Sequence, residues 1–191
     1  ADSNALIDPQ LMTFVPGNEV YQYPQGTGLR VPAGGSFHAQ MHYTTFGREA
    51  TDQTRIGLYF ADRPPQHELQ HFAIINPQLQ IPAGAAAHEE SAYYQLQHDA
   101  VIYALFPHAH YRGKSSSFSF RYPDGSEELV LNSPHYDFNW QRYFRFSEPR
   151  SVPAGTLVIH RTVYDNSANN LSNPAPEIAV SWGEQTTEEM L

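Results

Sequence analysis

The feature that most constrains the fold of this chain is a series of short runs rich in aromatic and β-branched residues. Such residues favour strands, and turns containing proline and glycine separate the runs. The predicted strands are residues 37–45, 55–60, 92–96, 101–106, 116–122, 128–131, 143–146 and 156–164. Strands of this length and spacing predict an all-β fold, a β-sandwich of the jelly-roll type. Residues 122–126 contain Pro-Asp-Gly, which is typical of a hairpin turn.

A weak internal repeat suggests how the chain is organised. The pattern apolar-Pro-Ala-Gly occurs three times, ending at Gly34, Gly84 and Gly155. When the first and third copies are aligned, Tyr43 falls on Tyr164, because each follows its glycine by nine residues. One interpretation is that residues 1–68 are the second half of a sandwich related to residues 69–191, which gives a partial second sandwich at the N-terminus. The other is that Pro-Ala-Gly is a good turn before any strand.

Composition excludes several classes of function. The 20 acidic and 11 basic residues give a net charge of −9, which repels nucleic acid and anionic membrane surfaces. No apolar stretch reaches the roughly 18 residues of a membrane helix, so we expect a soluble chain whose export signal, if any, has been removed. Cysteine is absent, which excludes disulfides and thiolate metal sites. No nucleophile elbow, phosphate-binding glycine loop or paired carboxylate motif is present.

The pair His108 and His110 is the strongest candidate for chemistry. The two histidines lie two positions apart at the end of a predicted strand. Their side chains therefore leave the same face and can converge on one metal ion. The alternative is a pair of polar residues on a solvent-exposed face. A cupin would place a glutamate shortly after such a pair, whereas the only charges in residues 111–117 are Arg112 and Lys114.

Two further candidates lie far from this pair in sequence. Met190 offers a thioether, a soft ligand that favours Cu(I), although a methionine more often fills a gap in a core. His38, Gln40 and His42 share one face of a predicted strand. Positions four apart lie about 13 Å from each other along a strand, so at most one of the two histidines binds a given ion.

The remaining polar candidates are expected to be structural or solvated. His160 has no useful partner in sequence and is expected to be solvated, as are the histidines in loops and at strand edges. The run of Asp, Asn and Ser in residues 164–170 predicts side chains that stabilise turns.

Together these residues resemble the copper type II ascorbate-dependent monooxygenases, the family of peptidylglycine α-hydroxylating monooxygenase and dopamine β-monooxygenase. The resemblance spans most of the chain. It rests on Gln40-x-His42-Tyr43, His108-x-His110 followed by Gly113-Lys114, and Glu189-Met190. Bacterial members are similar also in residues 136–141, 165–170 and 182–186.

The resemblance implies two jelly-roll domains that carry one copper each. His108, His110 and Met190 would ligate the copper that activates O2 to hydroxylate a C–H bond of a small-molecule or peptide substrate. His42 would be one of three histidines on a second copper, which delivers an electron from ascorbate or another reductant. The family also implies an extracytoplasmic location, periplasmic or secreted.

The sequence departs from the family in two ways. It has no adjacent His-His pair to complete the second copper site, and it ends one residue after Met190. We therefore expect a truncated form or fragment of the enzyme, which puts its activity in doubt. Half a sandwich also leaves an open sheet edge, which predicts a homo-oligomer.

Two other functions stay open from the sequence. One is a non-catalytic copper-binding or interaction module of the same fold, and the other is a cupin-like metal enzyme that uses other ligands.

Overall fold

A computed structural model describes residues 12–18, 20–43 and 46–191 of the chain. This part contains ten strands and no helix, so the all-β prediction is confirmed, and it has no helix that could span a membrane. The strands are β1 (Thr27–Gly28), β2 (His67–Glu68), β3 (Gln80–Ile81), β4 (His88–Gln95), β5 (Ala100–Leu105), β6 (Gly113–Arg121), β7 (Glu127–Ser133), β8 (Phe144–Val152), β9 (Leu157–Tyr164) and β10 (Val180–Ser181).

Residues 22–71 form one compact unit with little regular structure. Its strands β1 and β2 pair in parallel over two residues each. The strands predicted at 37–45 and 55–60 are wrong for residues 37–43 and 55–60, which lie in no strand; residues 44 and 45 fall outside the described residues. Their aromatic side chains, such as Phe37 and Tyr59, are exposed. A strand needs a partner for its backbone hydrogen bonds, and no sheet of this unit supplies one to these described segments.

The second unit comprises residues up to Tyr21 together with Phe72–Leu191. It contains a four-stranded antiparallel sheet in the order β4-β9-β6-β7 and the antiparallel pairs β5–β8 and β3–β10. All six strands predicted between residues 92 and 164 are confirmed, although β4 begins four residues before its predicted start and β8 ends six residues after its predicted end. The predicted domains 1–68 and 69–191 stay a prediction.

The main core lies between the four-stranded sheet and the β5–β8 pair. Leu105 and Val152 come from the pair, whereas Phe118, Phe120 and Val158 come from the larger sheet. Burying a side chain of this size contributes about 1.5–3 kcal/mol. The two sheets therefore form two layers around one core, and the jelly-roll connectivity stays a prediction.

A second apolar cluster lies at one end of these layers. Ile81 and Val180, from β3 and β10, pack there with Tyr164 at the end of β9. The cluster also includes Ala109, from the connection between β5 and β6, and the terminal Leu191. The segment with the two candidate histidines and the last residues of the chain therefore meet in one core.

The predicted hairpin between β6 and β7 is confirmed. The N–H of Tyr122 donates to the carbonyl of Ser126 at 2.8 Å, and Asp124 accepts from the backbone N–H and the hydroxyl of Ser126. Gly125 has φ of 86°, a conformation in which glycine carries no steric penalty.

Candidate metal centre

His108 and His110 lie in the connection between β5 and β6. The segment is in no strand, but Ala109 between them is fully buried in the second cluster. In an extended chain the residues on either side of a buried one face the opposite way. The two imidazole centroids are 5.3 Å apart and their planes meet at 86°. His110 is only 4% exposed, which excludes the alternative of two solvent-facing residues.

Tyr136 holds the backbone of this segment in place. Its hydroxyl accepts a hydrogen bond from the N–H of Ala109 at 3.0 Å and donates to the carbonyl of Ala109 at 2.6 Å. The ring packs so closely on Gly113 that a Cβ there would lie 2.7 Å from it. Glycine is therefore required at the start of β6, and the buried backbone of Ala109 is satisfied without a sheet partner.

Glu189 provides the second anchor. Its two carboxylate oxygens accept hydrogen bonds from the backbone N–H groups of His110 at 2.7 Å and Arg112 at 2.6 Å. The side chain is fully buried, and this burial raises the pKa of the carboxyl to about 7, against the lowering effect of the two N–H donors. The carboxylate of Glu189 therefore binds backbone rather than facing a metal.

Residues close to Glu189 also accept hydrogen bonds from buried side chains. The guanidinium of buried Arg112 donates to the carbonyl of Thr187 at 2.9 Å and to Oδ1 of Asn166 at 2.7 Å. The carbonyl of half-buried Met190 accepts a hydrogen bond from the hydroxyl of Tyr164 at 2.6 Å. The structure thus brings the backbone that carries Met190 beside the histidine segment.

Hydrogen bonds define the tautomers of both histidines. The amide nitrogen of Gln141 donates to the carbonyl of Phe138 at 2.8 Å, so its oxygen faces Nδ1 of His108 at 2.6 Å. Nδ1 of His110 lies 3.1 Å from the carbonyl of Glu188, which can only accept. Both Nδ1 atoms therefore carry hydrogen, and Nε2 is the basic nitrogen of each neutral ring.

Burial also favours the neutral form of His108. It lowers the pKa of His108, whereas the hydrogen bond with Gln141 acts in the opposite direction. A neutral imidazole is the form that binds a metal. The site therefore favours His108 as a ligand at neutral pH.

His160 was expected to be solvated, and this prediction is wrong. It lies on β9, is 4% exposed, and stacks on Phe118 with centroids 4.2 Å apart. Its Nε2 lies 2.8 Å from the hydroxyl oxygen of Ser116. Burial, followed by the charge of His108, lowers the pKa of His160 to about 3. The alternation of β9 places His160 on the core face, which its polarity did not indicate.

The geometry of the pair is compatible with one shared ion. A metal about 2 Å from each Nε2 lies roughly 3 Å from each ring centre, which accommodates centroids 5.3 Å apart. In residues 12–18, 20–43 and 46–191 no three His, Asp or Glu side chains are placed to hold one metal. A donor of another kind would complete the site, and the thioether of Met190 fits that description.

The candidate residues in the unit formed by residues 22–71 are not buried. His38, Gln40 and His42 are exposed, and the described part of their segment is in no strand. The prediction that they share one face of a strand is therefore wrong. His42 as a ligand of a second copper stays a prediction.

Three residues that support the site were missed by sequence reasoning. Gln141, Tyr136 and Glu189 each contact the histidine segment, yet they lie 26 residues or more from it in the chain. Their only signal was membership in segments that carry the family resemblance.

Comparison with models of known protein families gives no match for this chain, and comparison with curated proteins gives none either. The family resemblance described above therefore stays a prediction.

Proposed function

We propose that this chain is a copper-dependent monooxygenase, or a fragment of one, of the type II ascorbate-dependent class. His108, His110 and Met190 would bind the copper ion. The observation that carries the proposal is the tautomer of both histidines, whose Nδ1 atoms donate to Gln141 and to the carbonyl of Glu188. A metal-binding histidine typically donates its other ring N–H to such an acceptor, which orients the ring.

The chemistry of the donor set supports copper over other metals. Imidazole binds both oxidation states of copper, and a thioether favours Cu(I). When bound, copper would supply the one-electron exchange and the activation of O2 that hydroxylation of a C–H bond requires. The protein would orient both rings and keep His108 neutral, because burial lowers its pKa.

Further features belong to the same proposal. The fold would be a jelly roll, with residues 1–68 the remainder of a first domain that carries His42. The reductant would be ascorbate or a similar donor, and the substrate a small molecule or peptide. The protein would act outside the cytoplasm and associate with a second copy through an open sheet edge.

Copper binding tests this proposal directly. Anaerobic titration with Cu(I) against a chromophoric chelator is expected to give one tightly bound ion per chain. His108→Ala should abolish it and Met190→Ala should weaken it, whereas the matched control His98→Ala, at an exposed histidine, should leave it unchanged. Full stoichiometry and affinity in His108→Ala would refute the proposal.

Two other outcomes would identify the alternatives. Tight copper binding without oxygen consumption in the presence of ascorbate and candidate substrates would favour a non-catalytic copper-binding or interaction module. Iron or manganese in the purified protein, with no affinity for Cu(I), would favour a cupin-like enzyme.

A further inference from the structure

We infer that Glu189 is a positioning residue of this metal site, which fixes the segment of Met190 against the histidine pair. The inference rests on the proposed function and adds to it a residue that binds no metal itself. Its basis is the buried carboxylate that bridges the backbone N–H groups of His110 and Arg112, at 2.7 and 2.6 Å.

The carboxylate of Glu189 bridges two segments that are far apart in the chain. The two N–H groups lie 79 and 77 residues before Glu189, so the bridge joins two segments that share no strand pairing. The histidine segment has left β5, and residues 182–191 have no strand pairing beyond an isolated bridge between Trp182 and Glu189. Side-chain bonds to the backbone, together with the packing of Ala109 and Leu191 in one apolar core, therefore determine how the two segments lie against each other.

Residues 187–189 contact the histidine segment one after another. Thr187 accepts from the guanidinium of Arg112, and the carbonyl of Glu188 accepts from Nδ1 of His110. Glu189 then accepts from both backbone N–H groups, and Met190 follows directly. Three consecutive residues thus align with the histidine segment immediately before the candidate ligand. A shift of this segment would move Met190 relative to His110.

The chemistry of the Glu189 carboxylate suits both donors. Two N–H donors require two acceptors, which a carboxylate supplies and an amide does not. Gln at this position would keep the shape but turn an NH2 group toward one N–H. Because the site is fully buried, water does not replace the lost bond.

The test compares Glu189→Gln with Glu177→Gln, which removes the same charge at an exposed glutamate outside the site. Cu(I) affinity is measured by chelator competition, and X-ray absorption of the Cu(I) protein reports whether sulfur is a ligand. Glu189→Gln is expected to lower affinity roughly 10–100-fold, the usual range for outer partners of a metal site. It should also lose the sulfur signal while keeping both nitrogen ligands, whereas Glu177→Gln should match wild type.

The following outcomes would contradict the inference or the proposed function. Wild-type affinity and sulfur signal in Glu189→Gln would overturn the inference alone. A wild-type protein that binds no Cu(I) would overturn the proposed function, and nitrogen ligation without sulfur in wild type would remove both Met190 and this role of Glu189. If Glu189→Gln does not fold by near-ultraviolet circular dichroism, Glu189→Asp is measured instead. Loss of the fold in both variants would show that Glu189 is structural only, and would overturn the inference.

Discussion

The amide oxygen of Gln141 lies 2.6 Å from Nδ1 of His108, and the orientation of this amide is itself set by the carbonyl of Phe138. Gln141 is fully buried, and its own N–H donates to the carbonyl of Pro16. The ring of His108 is therefore oriented by a residue that is fixed through both its backbone and its side chain.

Replacing Gln141 with Leu should disturb the metal site and the fold together. His108 would lose the acceptor of its Nδ1 proton, so we expect Cu(I) affinity to fall roughly 10–100-fold. The buried groups left without partners should lower the free energy of unfolding by about 1–3 kcal/mol. Chelator competition and urea unfolding measure the two effects. Gln97→Leu, at an exposed glutamine, is the control, and equal affinities in the two variants would contradict the prediction.

Stability should depend on pH through His160. Its pKa is about 3 in the folded protein and about 6.5 when unfolded, so the unfolded chain binds more protons between these values. The contribution to stability is complete above pH 6.5 and is lost as the pH falls toward 3. A difference of one bound proton between the unfolded and folded chain changes the free energy of unfolding by about 1.4 kcal/mol per pH unit.

The variant His160→Phe keeps a ring to stack on Phe118 but cannot titrate. Urea unfolding of metal-free protein between pH 6 and 4 should give a slope of stability against pH that is shallower than in wild type by about this amount. Only the slopes are compared, because the variant also leaves the hydroxyl of Ser116 without its present partner. Identical slopes would show that His160 does not carry this dependence.

The sequence predicted the elements of the sheets but not the supports of the site. Local patterns sufficed for strands such as β6 and β9, which are neighbours in one sheet, because side chains on one face of that sheet are buried in the core. The same composition at residues 37–43 formed no strand, since strand formation depends on a partner that the local sequence does not specify.

The candidate site was likewise only partly predictable from the sequence. The pair His108 and His110 was visible because the two residues are close in sequence. Glu189 was not, because its role depends on packing across 77 residues or more, and no local pattern distinguishes this buried glutamate from exposed Glu188 beside it.

Tyr136→Phe should destabilise the protein through a single lost hydroxyl. That group satisfies both the N–H and the carbonyl of buried Ala109, so its loss should lower the free energy of unfolding by about 1–3 kcal/mol. Hydrogen exchange at the amide of Ala109 should accelerate as well. Tyr94→Phe, at a tyrosine that is 41% exposed, is the control. Unchanged exchange at Ala109 in Tyr136→Phe would contradict the assigned contact.

Asn166 should be the most sensitive position of the loop that follows β9. Its side chain is fully buried and makes four hydrogen bonds. Its amide nitrogen donates to the carbonyls of Pro82 and Ile178, and Oδ1 accepts from Arg112 and Asn173. The turn-stabilising role that the sequence predicted for this run is confirmed at Asp165, whose Oδ1 accepts from the N–H of Ser167 at 3.0 Å, whereas Asn166 contacts distant backbone. It also connects that loop to Arg112, and through Arg112 to the carbonyl of Thr187.

Asn166→Asp turns an oxygen toward the two carbonyls in place of two N–H donors, so we expect a loss of at least about 2 kcal/mol in the free energy of unfolding, since each buried unsatisfied group costs about 1–3 kcal/mol. Asn169→Asp adds the same charge at an exposed position of the same loop and should change stability by less than about 0.5 kcal/mol. Urea unfolding at pH 7 compares the two variants. Equal stabilities would mean that the network around Asn166 does not contribute as its geometry indicates, and the anchoring of Arg112 would then have to come from Thr187 alone.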